Sequence, residues 1–480
     1  MTAPAPMAPA PTAPALPRNP PRRRGMCPGV LAPMEVGDGL LVRVRVPAGV
    51  LPSAKAVRIA ELGRRFGNGL VDLSHRGNLQ LRGVRAEDMA ALIEELRALG
   101  YVSTDAESEA VRNVLTSPTA GLDADAVLDV RPYALALDAR LADDPTLHRL
   151  PPKFGWLLDG GGRAPLFDSS TDVRFDAVAT QDGPRFRVGL GGTAETAALL
   201  GFCRPDDMVE VAASVASAFL DLRAGLAEPP RRMAGLVKAV GIEAMRERVA
   251  AHCPHPSHAS QGSLPSPAGQ GRESTNAAQI SFPPPPCGGG LGWGQTPAIR
   301  HVLGLHLTWL GVWLGVAFPF GRLDCDRLEA LAALTDEIRI TPWRALLLVN
   351  PDSAAADKAK TLGGIVDHTD VRLKVTACSG ITGCDVGTSD THADGLAIAK
   401  SIANWAPGLL DGVRMVHVSG CAKGCAHPGP ADVTLTARDG VYDVALNAKP
   451  GAEAPLRSGL TPAEAVDAVA GLSVEELSRV

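Results

Sequence analysis

The 480-residue sequence lacks several features that mark common functional classes. No uninterrupted apolar run reaches about 18 residues, so no membrane-spanning helix is expected. The formal net charge is −5, so the chain does not carry the excess of positive charge typical of nucleic-acid-binding proteins. No G-x-G-x-x-G motif follows a predicted strand, since Gly189–Gly192 is too short to form one. A dinucleotide site on this chain is therefore not expected.

Two segments lack the apolar residues that a folded domain needs. Residues 1–24 are rich in Ala and Pro, and no apolar stretch follows their final arginines, so we predict a disordered tail and no secretory signal. Residues 254–298 are rich in Pro, Gly and Ser and are predicted to be a disordered insertion. Without a secretory signal, the nine cysteines favour a reducing compartment, the cytoplasm, over a disulfide framework.

Four of the cysteines form the most informative pattern in the chain. Cys378 and Cys384 form a C-x5-C pair, and Cys421 and Cys425 form a C-x3-C pair 36 residues later. Small residues surround both pairs, which allows the backbone to approach a bulky inorganic group closely. Four thiolates from two such loops favour a [4Fe-4S] cluster. A zinc site is a weaker alternative because paired zinc ligands are usually two to four residues apart, and disulfides are a third alternative.

The sequence also contains an internal repeat. The segment x-Pro-x-Gly-x-Leu occurs at 46–51 and again at 318–323, and His75-Arg76 aligns with Trp343-Arg344. The segment 115–122 aligns with the first cysteine loop, 377–384, but Thr116 and Leu122 replace its two cysteines. We therefore predict a duplicated two-domain unit in which only the second copy binds a cluster.

Residues 40–105 predict a ferredoxin-like unit of strand, helix, two strands and helix. Leu40–Val46 alternates as a strand, with Arg43 and Arg45 on one face. Ser53 is predicted to cap a helix that Gly67 ends. In the second copy, Gly315 and Ala317 align with the two arginines, so that face is apolar there.

The cysteine segments ACSGITGC and VSGCAKGCAHP resemble the cluster-binding motifs of the sulfite/nitrite reductase superfamily. The longer segments VSGCAKGCAHPGPADVTL and CPGVLAPMEVGDGLLVRVRVP resemble one branch of it, the precorrin-3B synthase family. The resemblance covers residues 25–250 and 299–480. It implies an α+β fold with pseudo-twofold symmetry, built from two ferredoxin-like half-domains and two sulfite-reductase-like α/β domains. We place the half-domains at 25–105 and 299–360, the first α/β domain at 106–253 and the [4Fe-4S]-binding α/β domain at 361–480.

The resemblance also implies an activity. In this branch precorrin-3A is hydroxylated with dioxygen and an acetate side chain closes to a γ-lactone, a monooxygenase step in cobalamin biosynthesis. The implied cofactors are the [4Fe-4S] cluster and a mononuclear non-haem iron. Because the chain lacks a dinucleotide motif, electrons from NADH would arrive through a partner, a reductase or a ferredoxin. No nucleic-acid or membrane partner is expected.

A tetrapyrrole precursor carries several carboxylates, so its site needs a group of cations. The candidates for substrate binding lie in both copies: Arg43, Arg45, His75, Arg76, Arg82, Arg112, Lys153 and Lys423. The anion-binding residues of the superfamily fall on Arg76, Arg112 and Lys153, which are therefore the catalytic candidates. Any single arginine among these is more often a solvated surface charge, and Lys423 could simply balance the charge of the thiolates.

One position departs from the superfamily pattern. Sulfite reductases have a second lysine after the segment that aligns with LPPK, and Gly155 occupies that position here. Losing this lysine removes about one charge-assisted hydrogen bond to a small oxyanion, roughly 1.5–3 kcal/mol. This counts against a sirohaem-dependent sulfite or nitrite reductase, the first alternative function. An iron–sulfur electron-transfer protein is the second alternative, and the basic face of Arg43 and Arg45 counts against it.

Overall fold

The computed structural model describes residues 28–253, 297–405 and 412–477. The predicted tail at 1–24, Cys27, and residues 254–296 of the predicted insertion, with Cys287, lie outside the described residues. Within the described residues, no helix has the length and apolar character needed to cross a membrane. In this part of the chain helices are interspersed with strands, and the strands form four sheets of five strands each.

The first half-domain contains five strands and two helices, and four of its strands form one sheet. Its elements are β1 (Met34–Val36), β2 (Gly39–Val44), β3 (Val50–Pro52), α1 (Ser53–Phe66), β4 (Leu70–Leu73), β5 (Leu79–Val84) and α2 (Met89–Ala98). The predicted helix is present and Gly67 follows it, but the predicted cap is wrong. Ser53 is already helical, and its hydroxyl donates to the Thr335 carbonyl at 2.6 Å, so a contact with the second copy takes the place of a cap.

The first α/β domain follows, with a mixed sheet and helices packed against it. Its elements are α3 (Ala106–Val111), β6 (Val114–Thr116), α4 (Arg131–Asp143), β7 (Trp156–Asp159), β8 (Thr171–Thr180), β9 (Gly183–Gly192), β10 (Ala198–Cys203), α5 (Met208–Ala224) and α6 (Met233–His252). Strands β6, β7 and β8 are parallel, and β9 and β10 continue the sheet antiparallel.

The second copy repeats both units in the same order. Its half-domain contains β11 (Gly304–Leu307), β12 (Val312–Ala317), β13 (Arg322–Asp324), α7 (Cys325–Ala332), β14 (Glu337–Ile340), β15 (Ala345–Val349) and α8 (Ala355–Thr361). Its α/β domain contains β16 (Val375–Ala377), α9 (Thr391–Ile402), β17 (Val416–Ser419), β18 (Ala431–Arg438), β19 (Val441–Ala448), β20 (Arg457–Leu460), α10 (Pro462–Ala470) and α11 (Val474–Leu477). Here too three parallel strands are followed by an antiparallel pair.

The two half-domains exchange a strand. Strand β3 joins the sheet β11-β12-β15-β14-β3, and β13 joins the sheet β1-β2-β5-β4-β13. Each exchanged strand follows a turn of the repeated x-Pro-x-Gly-x-Leu segment. The two turns have matching left-handed backbones, at Ala48 and Gly49 (φ 53° and 68°) and at Phe320 and Gly321 (φ 58° and 65°). The duplication predicted from sequence is therefore visible in the backbone, and one hydrophobic core contains buried residues of both halves.

Candidate metal and substrate site

A cavity of about 500 Å³ lies where the first half-domain, the exchanged strand β13 and the last α/β domain meet. Its volume is in the range of small-molecule sites in proteins. Its lining includes charged side chains, histidines and cysteine thiols. The charged and histidine residues among them are Arg43, Asp72, His75, Arg76, Arg82, Arg322, Arg344, His392 and Lys423, and the thiols are Cys378, Cys384, Cys421 and Cys425.

The topology of the last sheet brings the two cysteine loops together. Cys378 directly follows β16, and Cys421 follows β17 by two residues. Because β16 and β17 are parallel neighbours, their carboxyl ends lie at the same edge of the sheet, and the loops that follow share that edge. In the first copy, β6 and β7 have the same arrangement, but Thr116 stands where Cys378 would be.

The four thiols suit an iron–sulfur cluster. None of the described cysteines forms a disulfide, and burial, together with the thiols of Cys421, Cys378 and Cys384, raises the pKa of Cys425. The Gly420 N–H donates to Cys378 Sγ at 3.2 Å, the kind of backbone contact that stabilises a thiolate ligand. Within the described ranges no group of three or more His, Cys, Asp or Glu side chains is close enough to hold a single metal ion. Four thiols from two loops that line one cavity match the four-cysteine ligand set of a [4Fe-4S] cluster.

Arg43, Arg76 and Lys423 line the cavity from different elements. Arg43 is on β2, and its Nε and Nη2 donate to Gln80 Oε1 at 3.1 and 2.7 Å. Arg76 follows β4, and its Nη2 lies 3.4 Å from the Lys153 carbonyl oxygen. Lys423 lies between the last two cluster cysteines. Anionic groups of a ligand would meet these cations from two sides of the cavity.

A second set of arginines is already engaged with protein groups. Asp72 accepts from Arg82 Nη1 at 3.0 Å and from Arg322 Nε at 2.6 Å, and these two guanidinium groups hold its pKa below its usual range despite burial. Arg344 donates to the carbonyl of Leu73 at 3.1 Å and to that of Phe320, and burial lowers its pKa. These residues shape the wall of the cavity.

Two histidines line the cavity. His75 Nδ1 lies 3.2 Å from the Pro342 carbonyl oxygen. The His392 ring packs on Phe320 with 4.6 Å between the ring centres. Burial, helped by the Arg322 cation, lowers the pKa of His392 to about 4. Its imidazole is therefore neutral near pH 7 and can accept or donate a hydrogen bond inside a cationic cavity.

The structure places three of the predicted site residues outside the cavity lining. Arg45 is buried and forms an ion pair with Glu109 at 3.4 Å. Arg112 pairs with Asp138 and donates to Ser103 Oγ at 2.7 Å. Lys153 is exposed, and its backbone carbonyl oxygen lies 3.4 Å from Arg76 Nη2. The cavity lining brings together Arg43, His75, Arg76, Arg82, Lys423 and the four cysteines, and it does not include Arg45, Arg112 or Lys153.

Sequence reasoning missed several lining residues. Arg322 and Arg344 belong to the second copy. The internal repeat aligns them with Pro47–Leu51 and with His75-Arg76, and this alignment could have identified them as lining residues. Arg344 is the counterpart of Arg76, so both copies contribute an arginine from the same position. No pattern in the sequence singled out Asp72 or His392.

Gly155 lies close to the cavity. A Cβ built on it would lie 3.7 Å from Arg76 Nη1 and 3.1 Å from Thr171 Oγ1. A side chain at this position would therefore point toward the same space as Arg76. A side chain there would have to fit between Arg76 and Thr171.

Comparisons with known proteins agree with this architecture. Residues 32–99 match the model of the nitrite/sulfite reductase ferredoxin-like half domain, and residues 107–257 match that of the nitrite and sulphite reductase 4Fe-4S domain. The second match falls on the copy without the cysteine pairs. The structure of the Mycobacterium tuberculosis NirA protein has a TM-score of 0.65 and 24% identity, covering 90% of this chain and 79% of that chain, so the two share a fold. The fold and these domains define a nitrite/sulfite reductase-type protein.

Two curated relatives narrow the class. A ferredoxin–nitrite reductase of Synechococcus elongatus is 27% identical over 450 residues, covering 87% of this chain and 81% of the relative. A precorrin-3B synthase of Sinorhizobium sp. is 31% identical over 434 residues, covering 88% of this chain and 83% of the relative. The chain belongs to the precorrin-3B synthase family of the nitrite/sulfite reductase superfamily.

Proposed function

We propose that this protein is a precorrin-3B synthase. It would hydroxylate precorrin-3A with dioxygen and close an acetate side chain to a γ-lactone in aerobic cobalamin biosynthesis. One oxygen atom would enter the macrocycle and the other would leave as water, with the electron pair supplied by NADH through a separate reductase or ferredoxin. Membership in the family supports this assignment.

The observation that carries the proposal is the charge of the cavity. Among the described lining residues, the cationic side chains are Arg43, Arg76, Arg82, Arg322, Arg344 and Lys423, and Asp72 is the acidic one. A cavity with this excess of cations suits a substrate with several carboxylates. A protein that only carried electrons would not need it.

The chain's own residues would bind and orient the substrate. Arg43, Arg76 and Lys423 would pair with its carboxylates, and Gly155 places no side chain beside the Arg76 guanidinium group. His392, neutral near pH 7, would hold a proton or accept one at the cavity wall. His75 would add a polar contact beside Arg76.

Cys378, Cys384, Cys421 and Cys425 would hold the [4Fe-4S] cluster at the cavity wall. Bound there, the cluster supplies single electrons next to the substrate. Dioxygen chemistry requires a metal or an organic cofactor, because amino-acid side chains do not perform it. A mononuclear non-haem iron is part of the proposal, and no residue of this chain is assigned to it.

The test is conversion of precorrin-3A by the purified full-length protein in the presence of isotopically labelled dioxygen, NADH and a ferredoxin–reductase pair. We expect a product that contains one labelled oxygen atom, with mass and infrared absorption showing the lactone. Arg76→Ala should lower its rate of formation. A fully loaded protein that leaves precorrin-3A unchanged under these conditions would contradict the assignment.

A sirohaem-dependent sulfite or nitrite reductase is the second candidate, because nitrite reductases are among the relatives. Gly155 counts against it, since the small oxyanion would lose a cation. Sirohaem absorption in the purified protein, together with reduction of nitrite or sulfite, would favour this candidate over the oxygenase.

A further inference from the structure

The guanidinium group of Arg82 has no donor left for a ligand. Arginine has five side-chain N–H groups, and protein acceptors engage all of those of Arg82. Nε and Nη2 donate to Asp38 at 2.8 and 2.7 Å, and Nη1 donates to Asp72 at 3.0 Å. The two remaining N–H groups reach the Gly383 carbonyl at 2.9 Å and Ser379 Oγ at 3.4 Å. The side chain is 4% exposed.

The last two of these acceptors belong to the loop that carries the first cysteine pair. Ser379 directly follows Cys378, and Gly383 directly precedes Cys384. Arg82 therefore bonds to this loop beside both cysteines, although it is on β5 of the first copy, 301 residues before Gly383. The bond links the cluster domain of one copy to the half-domain of the other.

Two glycines make this close approach possible. A Cβ on Gly383 would lie 2.3 Å from Arg82 Nη2, so a side chain there would displace the guanidinium group. A Cβ on Gly37 would lie 2.9 Å from the backbone of Cys384. Gly37 precedes Asp38, the main carboxylate partner of Arg82, in the turn between β1 and β2. The turn, the arginine and the cysteine loop thus pack as one unit.

We propose that Arg82 is a positioning residue for the iron–sulfur cluster and not a substrate ligand. It holds the loop of Cys378 and Cys384 against the first copy and keeps a cation beside the thiolates. The inference rests on the proposed function because it assumes that the four cysteines hold a cluster. It differs from the expectation from sequence, in which Arg82 was one of the cations that bind the substrate.

The proposal predicts effects on the cluster that a purely structural contact would not produce. A reduced cluster carries one more negative charge than an oxidised one, and a nearby cation stabilises the reduced form. Arg82→Gln removes the cation that pairs with Asp38, and it leaves Asp72 with Arg322 as its cationic partner. The midpoint potential should therefore fall. Losing the charge-assisted bond to the loop should also speed the release of iron to a chelator, by about tenfold.

Three variants of the full-length protein and one control variant, all purified without oxygen, test the proposal. Arg82→Gln should lower the potential and speed iron release. Arg82→Lys keeps the positive charge but lacks the planar guanidinium group that bonds several acceptors at once. Its midpoint potential should therefore be close to that of the unmodified protein, but it should still release iron quickly. Arg82→Gln with Asp38→Asn removes both charges of the pair and should fold if the single variant does not. This double variant should keep a potential near that of the unmodified protein but release iron quickly.

The matched control is Arg85→Gln, an exposed arginine on the same segment that pairs with Asp88. It should change neither the potential nor iron release. The measurements are iron and sulfide content, redox titration followed by electron paramagnetic resonance, and binding of uroporphyrin, a porphyrin with many carboxylates. Uroporphyrin affinity should stay within about twofold in Arg82→Lys, since no donor of Arg82 faces the cavity contents.

The outcomes separate this inference from the proposed function. If Arg82→Gln keeps both the potential and the slow iron release of the unmodified protein, the positioning role is refuted while the cluster remains. If the Arg82 variants lose uroporphyrin binding and keep an unchanged cluster, Arg82 is a substrate ligand and the inference is again refuted. If the unmodified protein itself contains no iron and sulfide, the proposed function fails first.

Discussion

Replacing Arg112 with alanine should reduce stability and leave the substrate site intact. Arg112 ends α3, and its Nε donates to Asp138 Oδ1 on α4 at 3.0 Å, with a second contact from Nη2 to Oδ2. Nη1 also donates to Ser103 Oγ. The Arg112 and Asp138 side chains are 17% and 12% exposed, so removing the arginine leaves a mostly buried carboxylate without its cation.

The size of the effect follows from this burial. Breaking a buried ion pair by removing one partner costs about 3–5 kcal/mol, and because both side chains keep some exposure, Arg112→Ala should cost about 3 kcal/mol. The expected result is a lower urea midpoint for the transition of the first α/β domain, with unchanged uroporphyrin affinity and cluster content. Arg131→Ala is the matched control. Its pair with Asp129 is about one-third exposed, so the loss should be about 0–1 kcal/mol.

A double variant checks the mechanism. Arg112→Met with Asp138→Leu removes both charges and should recover most of the lost stability. Arg76→Ala should behave in the opposite way, lowering uroporphyrin affinity about tenfold with little change in the urea midpoint. An Arg112→Ala protein that kept its urea midpoint but bound uroporphyrin poorly would place Arg112 in the site and refute this reasoning.

Three further predictions concern the cluster, the exchanged strand and acid stability. Cys421→Ser should abolish iron and sulfide binding while circular dichroism shows the secondary structure retained. Leu51→Ala, fully buried on the exchanged β3, should cost about 2–5 kcal/mol in urea unfolding, whereas the half-exposed Leu135→Ala should cost little. His417 is fully buried, its ring nitrogens have no hydrogen-bond partner among the described residues, and burial lowers its pKa to about 4. The unfolded state therefore binds more protons below pH 6.5. The contribution of His417 to the free energy of unfolding is therefore complete above that pH and falls by about 1.4 kcal/mol per pH unit toward pH 4. His417→Leu should flatten this pH dependence, whereas the control His368→Gln, at an exposed histidine, should not.

Short sequence patterns correctly predicted those features of the fold that depend on residues close together in the chain. The repeated Pro-x-Gly turn requires a left-handed backbone, so both copies could be aligned from it and both turns have that backbone. The apolar spacing of α1 and the glycine after it predicted the helix and its end. The cysteine spacing predicted a shared site, and the parallel strands before Cys378 and Cys421 explain why the loops meet.

Long-range pairing was beyond the reach of such patterns. The exchange of β3 and β13 depends on which sheet edge each short strand meets, and Ser53 bonds to Thr335 because of that exchange. The roles of individual arginines were equally hidden. Nothing near Arg82 in the sequence shows that Asp38, 44 residues earlier, takes up its charge. Without knowledge of such partners, a buried structural arginine cannot be distinguished in the sequence from an arginine that binds substrate.

The most direct test of the account is the absorption spectrum of the anaerobically purified protein, with iron and sulfide counted on the same sample. The cluster alone should give about four iron and four sulfide per chain, and a filled mononuclear site about one iron more, with a broad brown absorbance and no tetrapyrrole bands. A protein without iron and sulfide would contradict the cluster at Cys378, Cys384, Cys421 and Cys425. Sharp sirohaem bands would instead make this a sulfite or nitrite reductase, despite Gly155.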